Sequence, residues 1–508
     1  MGRVSSNDVA MAFAREATPG VLPAQPDWHT VEPNEITNYG SEIKTVARDP
    51  IGGDRQRRKG SVVGLDSPLE IDADLTYSHL RHFIEAFCYS RAVGPGSFAG
   101  LAVAADGVSV AALTAQEAGY FTYGAAAAQT LVFISGYIDA ENVGLHPISG
   151  AVANGAVKIP VAGLNDEAAD ATREQIIAIA GVRGAAGDLE IDADGNLIST
   201  ALDFTTLGLS VGQVIHIGGQ DAQYNFANSE NVGFVRLRQI EANKLTLERR
   251  ELDFVLDDGT DTGAGGAATQ IDLLFGQFVR NVPTSNPDYA EITTQFELHS
   301  PNLGDAGQDM FEYAVGNYAD ALTITIPEED KAGLKLGFVG LDTVPPSLVR
   351  AQNADTPRAP IATESYGSAS DLARLRLMEE DETGMGSDFK SLTMALKNNA
   401  AGEKVLGKLG PKYVNAGQLQ IDIEAELIFT EAGIIRAIRN NETVGLDFTL
   451  RNGDGGAHFD IPSATLSGGG RSYPRNESVK ISTQIMAHKD TIFGTSLGVS
   501  LFPVLPSA

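Results

Sequence analysis

"LEIDADLTY" at residues 69–77 and "LQIDIEAELIF" at residues 419–429 carry one pattern in two places. In the first, Leu69, Ile71, Ala73, Leu75 and Tyr77 alternate with Glu70, Asp72, Asp74 and Thr76. In the second, Leu419, Ile421, Ile423, Ala425, Leu427 and Phe429 alternate with Gln420, Asp422, Glu424 and Glu426. A period of two puts the apolar set on a packed face and the polar set in solvent, so both read as half-buried strands. The period then changes. "SHLRHFIEAF" places Leu80, Phe83, Ile84 and Phe87 on one helical face, and "TEAGIIRAIRNN" does the same with Ile434, Ile435 and Ile438. Ser78 and Thr430 stand where helix N-caps belong. The chain is therefore expected to hold two copies of a strand, a cap and a short amphipathic helix.

What precedes each copy also matches. Residues 44–68 and 397–417 both read as turn-rich loops, and both are basic in an acidic chain. The first holds Arg48, Arg55, Arg57, Arg58 and Lys59; the second holds Lys404, Lys408 and Lys412. A solvated hairpin tip explains any single basic loop. Its recurrence at the same place in both copies favours a contact role.

After the second helix the chain reads as a β-meander to the C-terminus. After the first, comparable strands are delayed to 272–282, 291–300, 321–330 and 334–342, beyond an insertion. The expected organisation is a first fold at 1–91 and 271–343, an inserted β-rich module at 92–270, a proline-rich linker at 344–371 and a second fold at 372–508.

Composition narrows the function. The 508 residues carry 37 Lys and Arg against 66 Asp and Glu, a net charge of −29. Such a surface repels nucleic acid unless cations cluster. Solubility or a high-salt host explains the acidity equally well. The single cysteine, Cys88, excludes an intrachain disulfide and reads as a small buried thiol. The N-terminus lacks signal-peptide order. The uncharged stretch 118–138 is read as a loop leading into a strand rather than a membrane span.

Catalytic and metal motifs are weak. "GTSLG" (494–498) fits G-x-S-x-G, but Ser496 runs on into strand instead of the helix a nucleophile elbow needs. "DADGN" (192–196) opens like a calcium loop but lacks the required Gly and Glu, and reads as a hairpin turn. His79 and His82 sit three apart, which a helix surface explains without a metal. No cofactor, metal or catalytic residue is assigned.

With those features in view, the chain resembles a tailed-bacteriophage major tail tube protein of the long non-contractile type, with two tube folds per chain. The likeness rests on "EATPGVLPAQPDWHTVEPNEI" (16–36), "GGDRQRRKGSVVGLDSPLEIDADLTY" (52–77) and the closing "HFDIPSATLSGGGRSYPRNESVKISTQIMAHKDTIFGTSLGVSLF" (458–502). It covers roughly 1–90 and 270–508, and the insertion departs from the shortest members. The resemblance implies a mainly β fold: two tandem tail-tube β-sandwiches, each with a short flanking helix, plus the inserted β-rich domain. It implies a structural virion protein rather than an enzyme, assembled in the host cytoplasm. Three chains would close a pseudo-hexameric ring, and rings would stack into a hollow tail tube that conducts double-stranded DNA during ejection. Implied partners are further copies of itself, a tape-measure protein in the lumen, tail terminator and distal tail proteins and, transiently and without sequence preference, the DNA; no membrane is implied. Loops 44–66 and 397–416 would reach the next ring, and Asp72, Asp74, Asp422, Glu424 and Glu426 would line the bore. The rival readings are another self-assembling virion or surface β-sandwich, such as a head-decoration or adhesin-like protein, and a hydrolase built on Ser496.

Overall fold

The structure, a computed structural model, describes residues 5–48, 51, 58–124, 128–250, 253–259, 270–303, 307–350, 357–379, 384–386, 388–430 and 432–506. Its first half is built from β1 (Ala10–Arg15), β2 (Pro33–Thr37), β3 (Glu42–Arg48), β4 (Arg58–Asp74), α1 (Tyr77–Cys88), β5 (Thr293–Leu303), β6 (Gln308–Ile326), β7 (Gly333–Gly340) and β8 (Asp342–Ser347). The second half has β9 (Leu372–Glu379), β10 (Phe389–Lys397), β11 (Gln420–Ile428), α2 (Gly433–Asn440), β12 (Thr443–Asn452), β13 (Gly455–Ser472), β14 (Lys480–Ala487) and β15 (Gly498–Phe502).

The two halves repeat one set of antiparallel pairings. In the first, β1 pairs β5, β5 pairs β6, β6 pairs β7 and β8, β7 pairs β4, and β4 pairs β2. In the second, β9 pairs β12, β12 pairs β13, β13 pairs β14 and β15, β14 pairs β11, and β11 pairs β10. Each half is a two-sheet sandwich whose longest strand, β6 or β13, starts in the outer sheet and ends in the inner one. A register shift between Ala319 and Ala321 marks the crossing in β6. Such irregularities let a strand turn a sandwich corner.

The inner sheets of the two halves are one sheet. Residues Ala321–Ile326 of β6 pair directly with Leu392–Lys397 of β10. The continuous order is β2-β4-β7-β6-β10-β11-β14-β13. Its apolar face carries Ile71, Leu336, Leu322, Leu396, Ile423 and Ile485, all nearly inaccessible, in one core shared by both halves. Helix α1 packs Leu80, Phe83, Ile84 and Phe87 into that core. Burial holds the Cys88 thiol up at about 12, so it stays an inert, protonated packing group.

Several sequence expectations need correction. The α1 N-cap is Thr76, whose hydroxyl accepts from His79 N at 3.2 Å, not Ser78. Ser78 is buried and instead accepts from Ala362 N at 3.2 Å. Thr430 caps nothing: α2 starts after Ala432 with no side-chain cap. The described residues of 44–68 are mostly strand rather than loop, because β3 and β4 pair from Glu42↔Asp66 to Arg48↔Arg58 as an exposed arm. Residues 344–371 are not a free linker. β8 pairs β6, Arg358 N donates to Trp28 O, and Tyr366 is fully buried in the shared core. The segment 272–282 does not complete the first fold. Asp272–Leu274 joins the sheet of the insertion, and Gln277–Arg280 pairs β15 of the second half.

The insertion has its own core, from Val103 to Phe275, around a ten-stranded sheet. It leans on the outer sheet of the second half through buried ion pairs. Arg236 Nη1 contacts Asp460 Oδ2 at 2.9 Å, Arg249 Nη1 contacts Asp460 Oδ1 at 2.5 Å, and Arg374 reaches Phe234 O at 3.1 Å. Within 118–138, a short helix Ala115–Gly119 ends at its start and the expected strand forms over Gln129–Ser135, while 125–127 lie outside the described residues. Among the described residues no helix is long and apolar enough to cross a membrane.

Candidate assembly surfaces

Antiparallel register shows which side chains share the solvent face of the joined sheet. One row runs Glu35, Asp72, Lys335, Thr323, Ala395, Asp422, Met486, Thr465, crossing every strand from β2 to β13. The next runs Asp74, Gly333, Thr325, Thr393, Glu424, Gln484, Ser467. Glu426 lies opposite Ser391 and Ser482 on the same face. Directly opposed residues share a face. Asp72, Asp74, Asp422, Glu424 and Glu426, drawn from both sequence repeats, therefore occupy one surface.

That surface is not uniformly acidic. Lys331 Nζ meets Asp74 Oδ2 at 2.7 Å, Lys335 Nζ meets Glu70 Oε2 at 3.2 Å, and Lys480 Nζ meets Glu426 Oε2 at 3.7 Å. Partial burial pushes the Asp74 carboxyl up, but hydrogen bonds from Lys331 and Asn34 more than offset it and leave the group below its ordinary range. Asp422 and Glu424 have only uncharged cross-strand neighbours and stay exposed. The interleaved lysines lie on β7 and β14 and around them, strands whose contribution to this face was not read from sequence.

The two basic segments also meet. Lys404 and Lys44 both pair with Asp66, and Leu65 N donates to Leu409 O at 2.9 Å. Lys404 and then Lys44 hold the Asp66 carboxyl below its ordinary range. Lys404 is thus engaged within the chain, and Lys412 lies over the Tyr413 ring at 4.8 Å. Arg48, Arg58 and Lys59 are exposed on the arm, and Lys408 is exposed on the second loop. Arg55 and Arg57 lie outside the described residues. What sequence reasoning missed here is apolar. Ile43, Val46, Val62 and Val63 on the arm, with Leu406 and Leu409 beside it, are exposed by 49% or more. Ile43 and Val46 are three apart and Val62 and Val63 adjacent, so no period-two pattern marked them in the sequence.

The joined sheet has two open ends. β2 pairs only β4, and residues 466–472 of β13 pair only β14 among the described residues. Position by position, β2 is the counterpart of β10 and β13 the counterpart of β6. The internal β6–β10 joint brings together the same two kinds of edge within the chain. This repeat of sandwich, helix and edge strands runs through the described residues of 5–506. A family model described as "Phage tail tube protein" matches residues 6–483. The chain belongs to the phage tail tube protein family. It is accordingly a structural component of the virion tail, from a family whose members build a tube and are not enzymes. No curated protein matches the chain.

The motifs set aside on sequence have structural explanations. Ser496 lies in a turn fastened by Asn281, whose Oδ1 accepts from Ser496 N at 3.0 Å, Leu497 N at 2.9 Å and Thr495 Oγ at 2.6 Å. At "DADGN", Asp192 Oδ1 accepts from Asp194 N and Asn196 N, while Oδ2 takes Lys244 Nζ at 2.8 Å. A lysine holds the place a calcium ion would take. His79 and His82 are not surface residues. His79 is buried with Nδ1 2.9 Å from Asp74 O, and His82 faces the insertion.

Proposed function

We propose that three copies of this chain close a pseudo-hexameric ring and that such rings stack as the tail tube that conducts the genome. The observation that carries this reading is the internal β6–β10 joint between two equivalent half-sheets. Edge 466–472 of one copy, set against β2 of the next, repeats that joint. With eight inner strands per chain, three chains give 24 strands and six similar joints, three within chains and three between them. Closure removes the exposed edges that would otherwise template aggregation. Head-to-tail joints of this kind are heterologous and generate rings.

The surface bearing Asp72, Asp74, Asp422, Glu424 and Glu426 is then the bore. Uncompensated Asp422 and Glu424 repel phosphate, and the paired lysines keep the field moderate, so DNA passes without sticking. Before ejection the same wall holds a tape-measure protein. The tube ends meet terminator and distal tail proteins. The arm, with Lys408 and Leu406 beside it, reaches the adjacent ring through apolar contact and charge together. The insertion attaches to the outer sheet of the second half and decorates the exterior. Assembly in the host cytoplasm before incorporation into the virion completes the reading. Negative-stain microscopy of the purified chain should show rings or hollow tubes; monomers alone at every salt concentration would count against it.

A further inference from the structure

Three ligating side chains from separate parts of the chain converge beside α1. They are His29 from the strand His29–Val31, His82 from α1, and Glu174 from the insertion. One ligand atom from each lies within 4.8 Å of the others. His82 Nε2 is 3.5 Å from Glu174 Oε2, and His29 Nδ1 is 3.7 Å from Glu174 Oε1. A tetrahedral zinc-class ion with bonds of ~2.0–2.1 Å spaces its ligands by about 3.4 Å. His82 Nε2 already lies near that spacing from Oε2, whereas the His29 contact is to Oε1, so the His29 ring must shift toward Oε2 to share the ion.

The proton inventory points the same way. His29 Nε2 faces Asp27 Oδ2 at 3.3 Å, which draws the ring proton to Nε2 and leaves a lone pair on Nδ1. Arg81 Nη2, which can only donate, lies 3.4 Å from His82 Nε2; in that contact the nitrogen accepts, and an ion taking its lone pair displaces Arg81 from it. Glu174 is 4% exposed, and its Oε2, like His29 Nδ1, has no hydrogen-bond partner. Three electron-pair donors thus face one another. A cavity of about 220 Å³, lined in part by Arg15, Glu85, Gln277 and Arg358, adjoins the cluster.

We propose that His29 Nδ1, His82 Nε2 and Glu174 Oε2 bind a divalent transition-metal ion of the zinc class, with the fourth position open to that cavity. Arg81 holds the other carboxylate oxygen, Oε1, and so presents Oε2 to the ion. Asp27 acts as a positioning residue through His29. The ion would fasten the insertion, through Glu174, to the first tube fold. The competing arrangement is that the Arg81 guanidinium is itself the cation that serves Glu174.

Cobalt(II) titrated into the full chain, with visible absorption and metal analysis, decides between them. The expected result is one Co²⁺ per chain with an intense tetrahedral band, and a thermal midpoint raised by Zn²⁺. His29→Ala and the isosteric Glu174→Gln should abolish both, while Asp27→Asn weakens binding by roughly 10- to 100-fold. Absence of the band with no Zn²⁺-dependent shift would overturn the proposal. So would a band that survives both ligand substitutions, or one that appears only in Arg81→Gln.

Discussion

Asp447 is the residue whose loss should most directly expose how the insertion is carried on the tube. Its carboxylate is fully buried and accepts from Arg374 Nε at 3.0 Å, Arg374 Nη2 at 3.1 Å and Arg376 Nη2 at 3.1 Å. Arg374 is 6% exposed, and its guanidinium continues to Phe234 O at 3.1 Å and Arg249 O at 2.7 Å, both in the insertion. Asp447→Ala strips the counter-charge from a guanidinium that cannot reach water. Breaking a buried pair on one side costs about 3–5 kcal/mol. Replacing both partners, Arg374→Met with Asp447→Leu, removes the stranded charge but leaves the two insertion carbonyls without that donor. The double variant should therefore recover part of the loss, not all of it. Urea denaturation of the unassembled chain measures the cost. Hydrogen exchange locates it, with protection expected to fall first in 233–249 and 372–379. A loss below about 1 kcal/mol, or loosening confined to the first half, would refute the view that this network fastens the insertion to the second fold.

Burial lowers the pKa values of His216 and His458 to about 4 each. Below the ordinary histidine value near 6.5 the unfolded chain binds protons that the folded chain refuses. Stability is therefore full above that pH and declines toward pH 4, by roughly 1.5–2 kcal/mol per histidine between pH 7 and 5. Calorimetry across that range should show the decline, and a flat profile would contradict it. Replacing both Arg471 and Ser472 with proline removes one backbone donor from each side of the β13 edge, because successive N–H groups point in opposite directions. Chains should stay folded but fail to form tubes in electron micrographs; normal tubes would exclude this edge from the joint. Asp422→Lys with Glu424→Lys changes each chain by four charges, or twelve per three-chain ring. Tubes so altered should retain duplex DNA at low salt and release it steeply as salt rises, whereas unaltered tubes should not. Equal retention by both would remove these residues from the bore.

The repeat was legible because 69–77 and 419–429 alternate strictly, and alternation fixes which side chains meet solvent whatever the rest of the chain does. The same logic gave β7, β12 and β14. Other elements escaped for physical reasons. The N-terminal part of β6 and all of β9 carry Glu312, Arg374 and Arg376 among apolar residues, and their strand character is secured by pairing with β5 and β12, distant in sequence. The arm was read as a loop because its glycines and basic residues masked Ile43, Val46, Val62 and Val63. Tyr366 disappeared inside a segment whose prolines suggested a linker. Thr76, not Ser78, caps α1 because the chain leaves β4 two residues earlier than the repeat implied. The acidic face was legible residue by residue. Its lysines were not, because Lys331, Lys335 and Lys480 reach it only once distant strands pair. The His29–His82–Glu174 cluster depends on contacts across 145 positions of sequence (29 against 174), beyond the reach of motif spacing.

A cryo-electron microscopy reconstruction of the assembled tube tests the central claim most directly. The expected map shows a continuous 24-stranded barrel made by three chains, with 466–472 of each chain paired to 33–37 of the next in the manner of the β6–β10 joint, Asp422 and Glu424 facing the bore, and the insertion outside. A map in which those two edges lie apart, or in which the insertion fills the channel, would contradict it.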